Sequence, residues 1–222
     1  MLHHEISGNG KKPLVLLHGF MENTTIWDEM EAHLSKDFTL IKIDLPGHGK
    51  SKVYQEIHTV ELMAEKVKEV IDALKLEKIN LLGHSLGGYV SLAFAEKFPE
   101  ILESMTLFFS TTVADDEEKK AIRRRSIAVI DENFETFVKT SIPNLFSNNE
   151  KDILEGKIEL AKNIAKSTNK EGVKAAQLGM AERPDRTEIL ENLDAKILII
   201  AGKYDNAVKT ENLLKIIPEK TN

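Results

Sequence analysis

Cysteine is absent from the 222-residue sequence, which excludes both a disulfide framework and a thiolate metal site. No segment approaches the roughly 20 consecutive apolar residues of a membrane span, and residues 1–12 lack the apolar run of a signal peptide. Basic residues are dispersed and fewer than acidic ones, 30 against 36, so no concentrated positive field is available for nucleic acid. We therefore expect a cytoplasmic protein with no membrane or nucleic-acid partner. The sequence leaves its oligomeric state open.

Short apolar runs rich in branched residues recur along the chain and predict buried strands. They occur at 14–17, 38–43, 79–82, 105–109 and 197–201. A helical pattern lies between the second and third runs at 60–74, with Thr59 as a candidate N-cap. Parallel neighbours need crossover connections, so this alternation predicts an α/β fold, a doubly wound and mostly parallel sheet covered on both faces.

The alternation stops between 112 and 185, where the sequence is charged and favours helices, and it resumes with the strand at 197–201. We interpret this segment as an inserted helical lid. The predicted core domain then comprises 1–111 and 186–222, and the lid domain comprises 112–185. The alternative is that these helices simply cover the sheet.

A G-x-S-x-G motif, Gly83-His84-Ser85-Leu86-Gly87, directly follows the strand at 79–82 and precedes an apolar helical segment. A sharp turn between strand and helix strains the serine backbone, and glycines two residues away remove collisions with neighbouring elements. Ser85 is thus predicted to be a nucleophile at the carboxyl edge of the sheet. The backbone N–H of Leu86 is then one oxyanion donor.

The sequence here resembles the α/β-hydrolase family, and the resemblance extends over nearly all of the chain outside the lid. His18-Gly19-Phe20 resembles the turn that supplies the second oxyanion amide, which implies that role for the N–H of Phe20. Residues 44–51, Asp-Leu-Pro-Gly-His-Gly-Lys-Ser, resemble the D-x-P-G-x-G-x-S signature loop of the family, which is expected to be structural. The segment 197–205 resembles the strand and G-x-x-D turn that carry the catalytic acid, which implies Asp205.

The histidine that completes such a triad is missing, because all seven histidines precede Asp205. In the family this residue follows one further strand. We expect the natural protein to continue for a strand and a helix beyond Asn222; the alternative is a catalytically impaired chain. His18 and His84 lie nearest to the motif, but their positions in the family shape the oxyanion loop and the serine turn.

Three other motifs are expected to have no catalytic or binding role. Gly49-Lys50-Ser51 resembles the end of a phosphate-binding loop, but Asp44 stands at its first glycine position and would repel phosphate. His3 and His4 are adjacent, so on a strand they point to opposite faces and do not form a metal pair. The run 123–125 of three arginines spreads around a helix, which favours a solvated face.

The resemblance implies hydrolysis of a small-molecule carboxylic ester or related acyl compound through an acyl-enzyme on Ser85, with no cofactor and no metal. Enol-lactone hydrolases, carbon–carbon hydrolases and thioesterases share the arrangement, and a ligand-binding protein without turnover is an alternative from another class. Five apolar residues of the lid are expected to face a modest acyl pocket, namely Phe134, Phe137, Ile142, Leu145 and Phe146.

Overall fold

The computed structural model describes residues 1–205 and 207–217 and contains a six-stranded sheet. Its strands follow the apolar runs of the sequence closely, and one further strand precedes them. They are β1 (His4–Ser7), β2 (Lys12–Leu17), β3 (Phe38–Ile43), β4 (Ile79–His84), β5 (Leu102–Phe108) and β6 (Lys196–Ile200).

The strand order is β1-β3-β2-β4-β5-β6, and every neighbouring pair except β1 with β3 is parallel. The predicted mostly parallel α/β fold is therefore confirmed. The carboxyl ends of β2, β4, β5 and β6 share one edge of the sheet, because parallel strands run in the same direction. In the described residues β6 forms one border of the sheet, and its Leu198 and Ile200 side chains are exposed.

Eight α-helices lie within the described residues. They are α1 (Asp28–Leu34), α2 (Val60–Ala73), α3 (Leu86–Lys97), α4 (Glu117–Ser141), α5 (Glu155–Ser167), α6 (Lys170–Glu182), α7 (Ile189–Asn192) and α8 (Thr210–Ile216). None of these helices is both long and apolar enough to cross a bilayer.

Helices α2 and α3 supply much of the core that packs on the sheet. Helix α2 begins where the sequence predicts, since the Thr59 hydroxyl accepts a hydrogen bond from the Leu62 amide at 3.1 Å. Its apolar face, including Met63, Val67 and Ile71, is fully buried. Helix α3 is buried from Leu86 through Ala95, so it is the central helix of the fold.

The segment between β5 and α7 is helical, and α4, α5 and α6 account for most of it. We call residues 112–185 the insertion. Helix α4 is broken at Asn133, whose backbone is extended and whose side chain accepts a hydrogen bond from the Thr136 amide at 2.9 Å. Asn133 therefore caps the second half of α4 and redirects it.

Ion pairs join the two ends of the insertion. The Arg183 guanidinium donates to the Asp115 carboxylate at 2.9 Å, and both side chains are buried. Arg183 also stacks 3.9 Å from the centre of the Tyr89 ring in α3. The Arg186 amide donates to the Thr112 carbonyl at 3.0 Å. These contacts hold the first and last residues of the insertion together where it joins the core.

Helix α6 approaches the core so closely that only glycine fits at one position. A methyl group on Gly179 would overlap the His58 carbonyl oxygen, whereas one on Gly156, in the first turn of α5, would meet nothing within 4 Å. We expect Gly179→Ala to lower the free energy of unfolding by about 2 kcal/mol, because the helix must move away from the core. Gly156→Ala is the matched control and should be neutral or stabilising by up to about 1 kcal/mol. Urea unfolding of both variants checks this, and equal stabilities would contradict the close approach.

Candidate active site

Ser85 lies between β4 and α3 with a backbone conformation that L-residues rarely adopt, φ 49° and ψ −110°. Four hydrogen bonds hold this turn, and the longest runs from the Tyr89 amide to the Ser85 carbonyl at 3.3 Å. The Ser85 amide donates to the Phe108 carbonyl at 2.9 Å, and the Ser85 carbonyl accepts from the Gly88 amide at 2.9 Å and from the Ser110 hydroxyl at 2.8 Å. Strain of this kind persists only where the surroundings hold it, and it directs the serine side chain away from the strand.

The glycines of the motif allow the neighbouring elements to approach. A Cβ on Gly83 would overlap the Gly87 backbone, and one on Gly87 would lie 2.8 Å from the His18 carbonyl oxygen. The first turn of α3 therefore packs directly against the segment that follows β2. This proximity is the one that the sequence motif predicts, and it brings the 18–20 turn next to Ser85.

Two backbone amides near Ser85 have no acceptor among the residues that the structure describes. The N–H groups of Phe20 and Leu86 donate no hydrogen bond to any residue in the described part of the chain. Leu86 is the first residue of α3, where the helix dipole favours negative charge. Backbone amides that stay free beside a nucleophile can stabilise a developing oxyanion.

His18 is fully buried and holds the turn in place. Its Nε2 accepts from the Leu45 amide at 2.9 Å, so its Nδ1 carries the proton and donates to the Gly19 carbonyl at 2.7 Å. Burial lowers the pKa of His18, which keeps the ring neutral. Because both ring nitrogens are engaged, His18 is not available as a base for Ser85.

His84 makes a different contact, with Glu22. Its Nδ1 donates to Glu22 Oε2 at 2.8 Å, and the same oxygen accepts from the Gly19 amide at 2.6 Å. Burial alone would lower the pKa of His84, but the charge and hydrogen bond of Glu22 raise it above its usual value. Burial would likewise raise the pKa of Glu22, and His84 lowers it instead. Sequence reasoning missed this pair, because the two residues are 62 positions apart.

Asp205 follows β6 in a short turn, with its amide donating to the Gly202 carbonyl at 3.1 Å. Its Oδ1 accepts from the amides of Ala207 at 2.7 Å and Val208 at 2.9 Å. Oδ2 makes no hydrogen bond within residues 1–205 and 207–217. The carboxylate is thus fixed by one oxygen, and the second oxygen is open to a donor.

One strand, β5, separates the strand of Ser85 from the strand of Asp205. Two strand spacings amount to about 10 Å, which leaves room for an imidazole ring between the two residues. Phe109 follows β5 and contacts both neighbouring strands. Its amide donates to the Ile200 carbonyl at 2.9 Å, and the centre of its ring lies 6.3 Å from that of His84. The predicted nucleophile and acid therefore follow strands whose carboxyl ends share one edge of the sheet.

An apolar cluster joins the turn after β2 to the insertion. Met21 is buried with Phe137 and Ile142, and Phe20, Phe134 and Phe146 pack against them. Four of the five apolar residues expected at an acyl pocket thus lie beside the turn after β2. Leu145 lies outside this cluster and is 54% exposed, because the chain turns at 142–145 after the redirected half of α4.

A polar cleft of about 310 Å³ opens beside Asp205. It is lined by Ser147, Asn148, Asn149, Lys203, Tyr204 and Asp205. Its lining is polar, whereas the cluster around Met21 is apolar. The predicted acid therefore borders a solvent-accessible space.

The remaining sequence motifs have structural contacts. The Asp44 carboxylate accepts from the amides of Thr24 and Lys50, each at 2.9 Å, and from His3 Nδ1 at 2.9 Å, so the 44–51 loop is internally bonded. Arg123 pairs with Asp115 at 2.5 Å. No group of three metal-ligating side chains occurs in the part of the chain that the structure describes.

Comparison with known proteins gives the family. The model of the alpha/beta hydrolase fold family matches residues 12–221. The chain belongs to the α/β-hydrolase family. A thermophilic esterase from Thermogutta terrifontis has 34% sequence identity and a TM-score of 0.92, with 99% of this chain and 82% of that chain covered.

Other relatives of this α/β hydrolase are more distant or match in part. The enol-lactonase of Burkholderia xenovorans LB400 superposes with a TM-score of 0.88 over 97% of this chain and 83% of that chain, but its 22% identity shows the fold alone. An uncharacterised protein of Mycobacterium tuberculosis is 34% identical over 111 residues, which are 50% of this chain and 32% of that protein. The family match and the Thermogutta terrifontis esterase support a hydrolase.

The burial of His48 is expected to make the stability of this α/β hydrolase depend on pH. Burial lowers the pKa of His48 to about 3, whereas the unfolded residue titrates near its ordinary 6.5. At pH values between about 3 and 6.5, His48 is therefore protonated in the unfolded chain and neutral in the folded chain. The free energy of unfolding consequently falls as the pH drops below 6.5. Between pH 7 and pH 5 this one group should cost about 2 kcal/mol.

His48→Asn keeps a donor for the Pro46 carbonyl, which His48 Nδ1 contacts at 3.0 Å, and removes the titration. We expect the difference in unfolding free energy between pH 7 and pH 5 to shrink by about 2 kcal/mol in this variant. His84, whose pKa is raised, acts in the opposite direction but equally in both proteins. Urea unfolding at the two pH values measures the difference, with His33→Asn on the exposed side of α1 as control. An unchanged difference would mean that His48 titrates normally.

Proposed function

We propose that this chain carries the site of a serine hydrolase that acts on carboxylic esters or related acyl compounds. The observation that carries the proposal is the strained turn at Ser85 beside the Phe20 and Leu86 amides, which donate to no acceptor within residues 1–205 and 207–217. A nucleophile between a strand and a helix, with free amides beside it, is the arrangement that acyl transfer requires. The similarity to the Thermogutta terrifontis esterase supports the same chemistry.

In the proposed reaction the Ser85 oxygen attacks the ester carbonyl carbon, and the carbonyl oxygen becomes an oxyanion that accepts from the Phe20 and Leu86 amides. Collapse of this intermediate breaks the ester bond, releases the alcohol with a proton and leaves an acyl-enzyme on Ser85. Water then attacks the acyl group and releases the carboxylic acid. An oxyanion donor of this type is worth about 3 kcal/mol of barrier reduction.

Asp205 is proposed to orient the base that accepts the Ser85 proton. Its open Oδ2 suits the N–H of an imidazole, and the charge of Asp205 would stabilise the imidazolium that forms. None of the seven histidines of the sequence follows Asp205. His18 is engaged at both ring nitrogens and His84 is paired with Glu22, so we assign the base role to neither.

A covalent probe tests the nucleophile. A fluorophosphonate should label Ser85, because the Ser85 oxygen forms a bond to phosphorus while fluoride leaves, and the phosphoryl oxygen takes the place of the oxyanion. Mass spectrometry of the digested protein locates the label. Ser85→Ala should remove it, and Ser91→Ala is the matched control, since that hydroxyl is buried and bonded to the Gly87 carbonyl. Labelling at another residue, or none, would reject the serine hydrolase.

The apolar cluster beside the oxyanion turn is proposed to limit the acyl group. Met21, Phe137 and Ile142 are already packed together, which leaves space for a short chain. We expect nitrophenyl acetate and butyrate to acylate Ser85 faster than nitrophenyl palmitate by about 10-fold or more, as an extra methylene in a filled pocket costs roughly 1 kcal/mol or more. Release of nitrophenol in a single turnover measures this. A preference for the long chain would contradict the proposed pocket.

A second candidate is a protein that binds a small apolar ligand without turnover. The engagement of both nearby histidines favours it, because an unactivated serine hydroxyl is a poor nucleophile. Calorimetry with a non-hydrolysable ester analogue separates the two. Binding that survives Ser85→Ala, together with no fluorophosphonate label on the unaltered protein, would favour the ligand-binding function.

A further inference from the structure

The turn that carries the Phe20 amide is strained. Residues 19–22 form a tight turn closed by the Glu22 amide, which donates to the Gly19 carbonyl at 3.3 Å. Met21, the third residue of this turn, has φ 58°, a left-handed conformation that favours glycine or asparagine. A methionine there costs about 1 kcal/mol or more, so other contacts must hold the turn in this shape.

Two contacts do so from opposite sides. The Met21 side chain is buried in the apolar cluster of the insertion. On the other side Glu22 Oε2 accepts both the Gly19 amide at 2.6 Å and His84 Nδ1 at 2.8 Å. His84 is the last residue of β4 and precedes Ser85 in sequence, so this one oxygen ties the oxyanion turn to the strand that positions the nucleophile.

Glu22 and His84 pack closely against Gly19. A Cβ on Gly19 would lie 2.7 Å from Glu22 Oε2 and 2.8 Å from His84 Nδ1. The carboxylate and the imidazole each keep about a quarter of their side-chain surface exposed, so the pair borders the site and is not part of the core. Charge-assisted hydrogen bonds of this length are among the stronger ones in proteins.

We propose that Glu22 is a positioning residue, which directs the Phe20 amide at the Ser85 oxyanion by accepting hydrogen bonds from the Gly19 amide and from His84 together. Glu22 does not itself contact the acyl group. The inference rests on the proposed function, because it assigns the Phe20 amide to the oxyanion. It adds a residue that none of the sequence motifs contains.

Two substitutions separate reach from charge. Glu22→Gln keeps the length of the side chain and an oxygen that accepts from both donors, but removes the charge. Glu22→Asp keeps the charge but is one methylene shorter, so it cannot meet both donors at once. Glu29→Asp is the matched control, because Glu29 is an exposed residue of α1 whose partner is Lys157. Thermal unfolding verifies that each variant is folded.

The readout is the reaction of the full chain with a fluorophosphonate, analysed for the reversible binding constant and for the rate constant of bond formation. We expect Glu22→Asp to slow bond formation by about 10- to 100-fold with the binding constant changed by less than about 2-fold, since loss of a whole oxyanion donor costs about 100- to 1,000-fold. Glu22→Gln should stay within about 3-fold of the unaltered protein, and Glu29→Asp should not differ from it.

Other outcomes overturn the inference. If both Glu22 variants react at the original rate, or if Glu22→Gln is the slow one, Glu22 does not act through its reach. A change in the binding constant alone would mean that Glu22 shapes the pocket and does not position the amide. If the unaltered protein is not labelled at all, the serine hydrolase is rejected and the inference with it. If it is labelled at a rate that the Glu22 substitutions do not change, only the inference is rejected.

Discussion

The backbone of Ser85 is the constraint on which the rest of the structure depends. A non-glycine residue at φ 49° and ψ −110° costs about 1–3 kcal/mol, which the surrounding contacts must offset. Those contacts come from three different elements: the carbonyl at the end of β5, the Ser110 hydroxyl that follows it, and the first turn of α3. Because α3 is buried from Leu86 through Ala95, the turn cannot relax without moving the central helix of the fold.

The same logic extends to the turn after β2. It is fixed by His18 toward the 44–51 loop, by Glu22 toward β4 and by Met21 toward the insertion. Each of these segments belongs to a different part of the sequence, so the Phe20 amide depends on packing between all of them. The insertion therefore contacts the turn after β2 through Met21, and the Arg183–Asp115 ion pair holds the two ends of the insertion together. A change in the packing of the insertion would alter the contacts that hold Met21 in its left-handed backbone conformation.

The sequence predicted the elements that are decided locally. The strand at 38–43 and the Thr59 cap were located to the residue, because apolar runs and N-caps depend on neighbours in sequence. Contacts between distant segments were not predictable in this way. Glu22 with His84, and Ser110 with the Ser85 carbonyl, join residues whose types alone signal nothing. The break of α4 at Asn133 likewise changes which apolar residues of the insertion face inward, so Phe137 is buried and Leu145 is not.

The geometry also explains why neither neighbouring histidine serves as the base. His84 donates from Nδ1 to Glu22, and its ring lies beside those of Phe108 and Phe109 at the end of β5. Its pairing with Glu22 raises its pKa and reduces the neutral fraction that could accept a proton. His18 is neutral, but the Leu45 amide occupies the nitrogen lone pair that a base would need. Both rings hold the turn after β2. Asp205 Oδ2 accepts no hydrogen bond within residues 1–205 and 207–217, and in the proposed function a triad imidazole would lie between Asp205 and Ser85, across about two strand spacings.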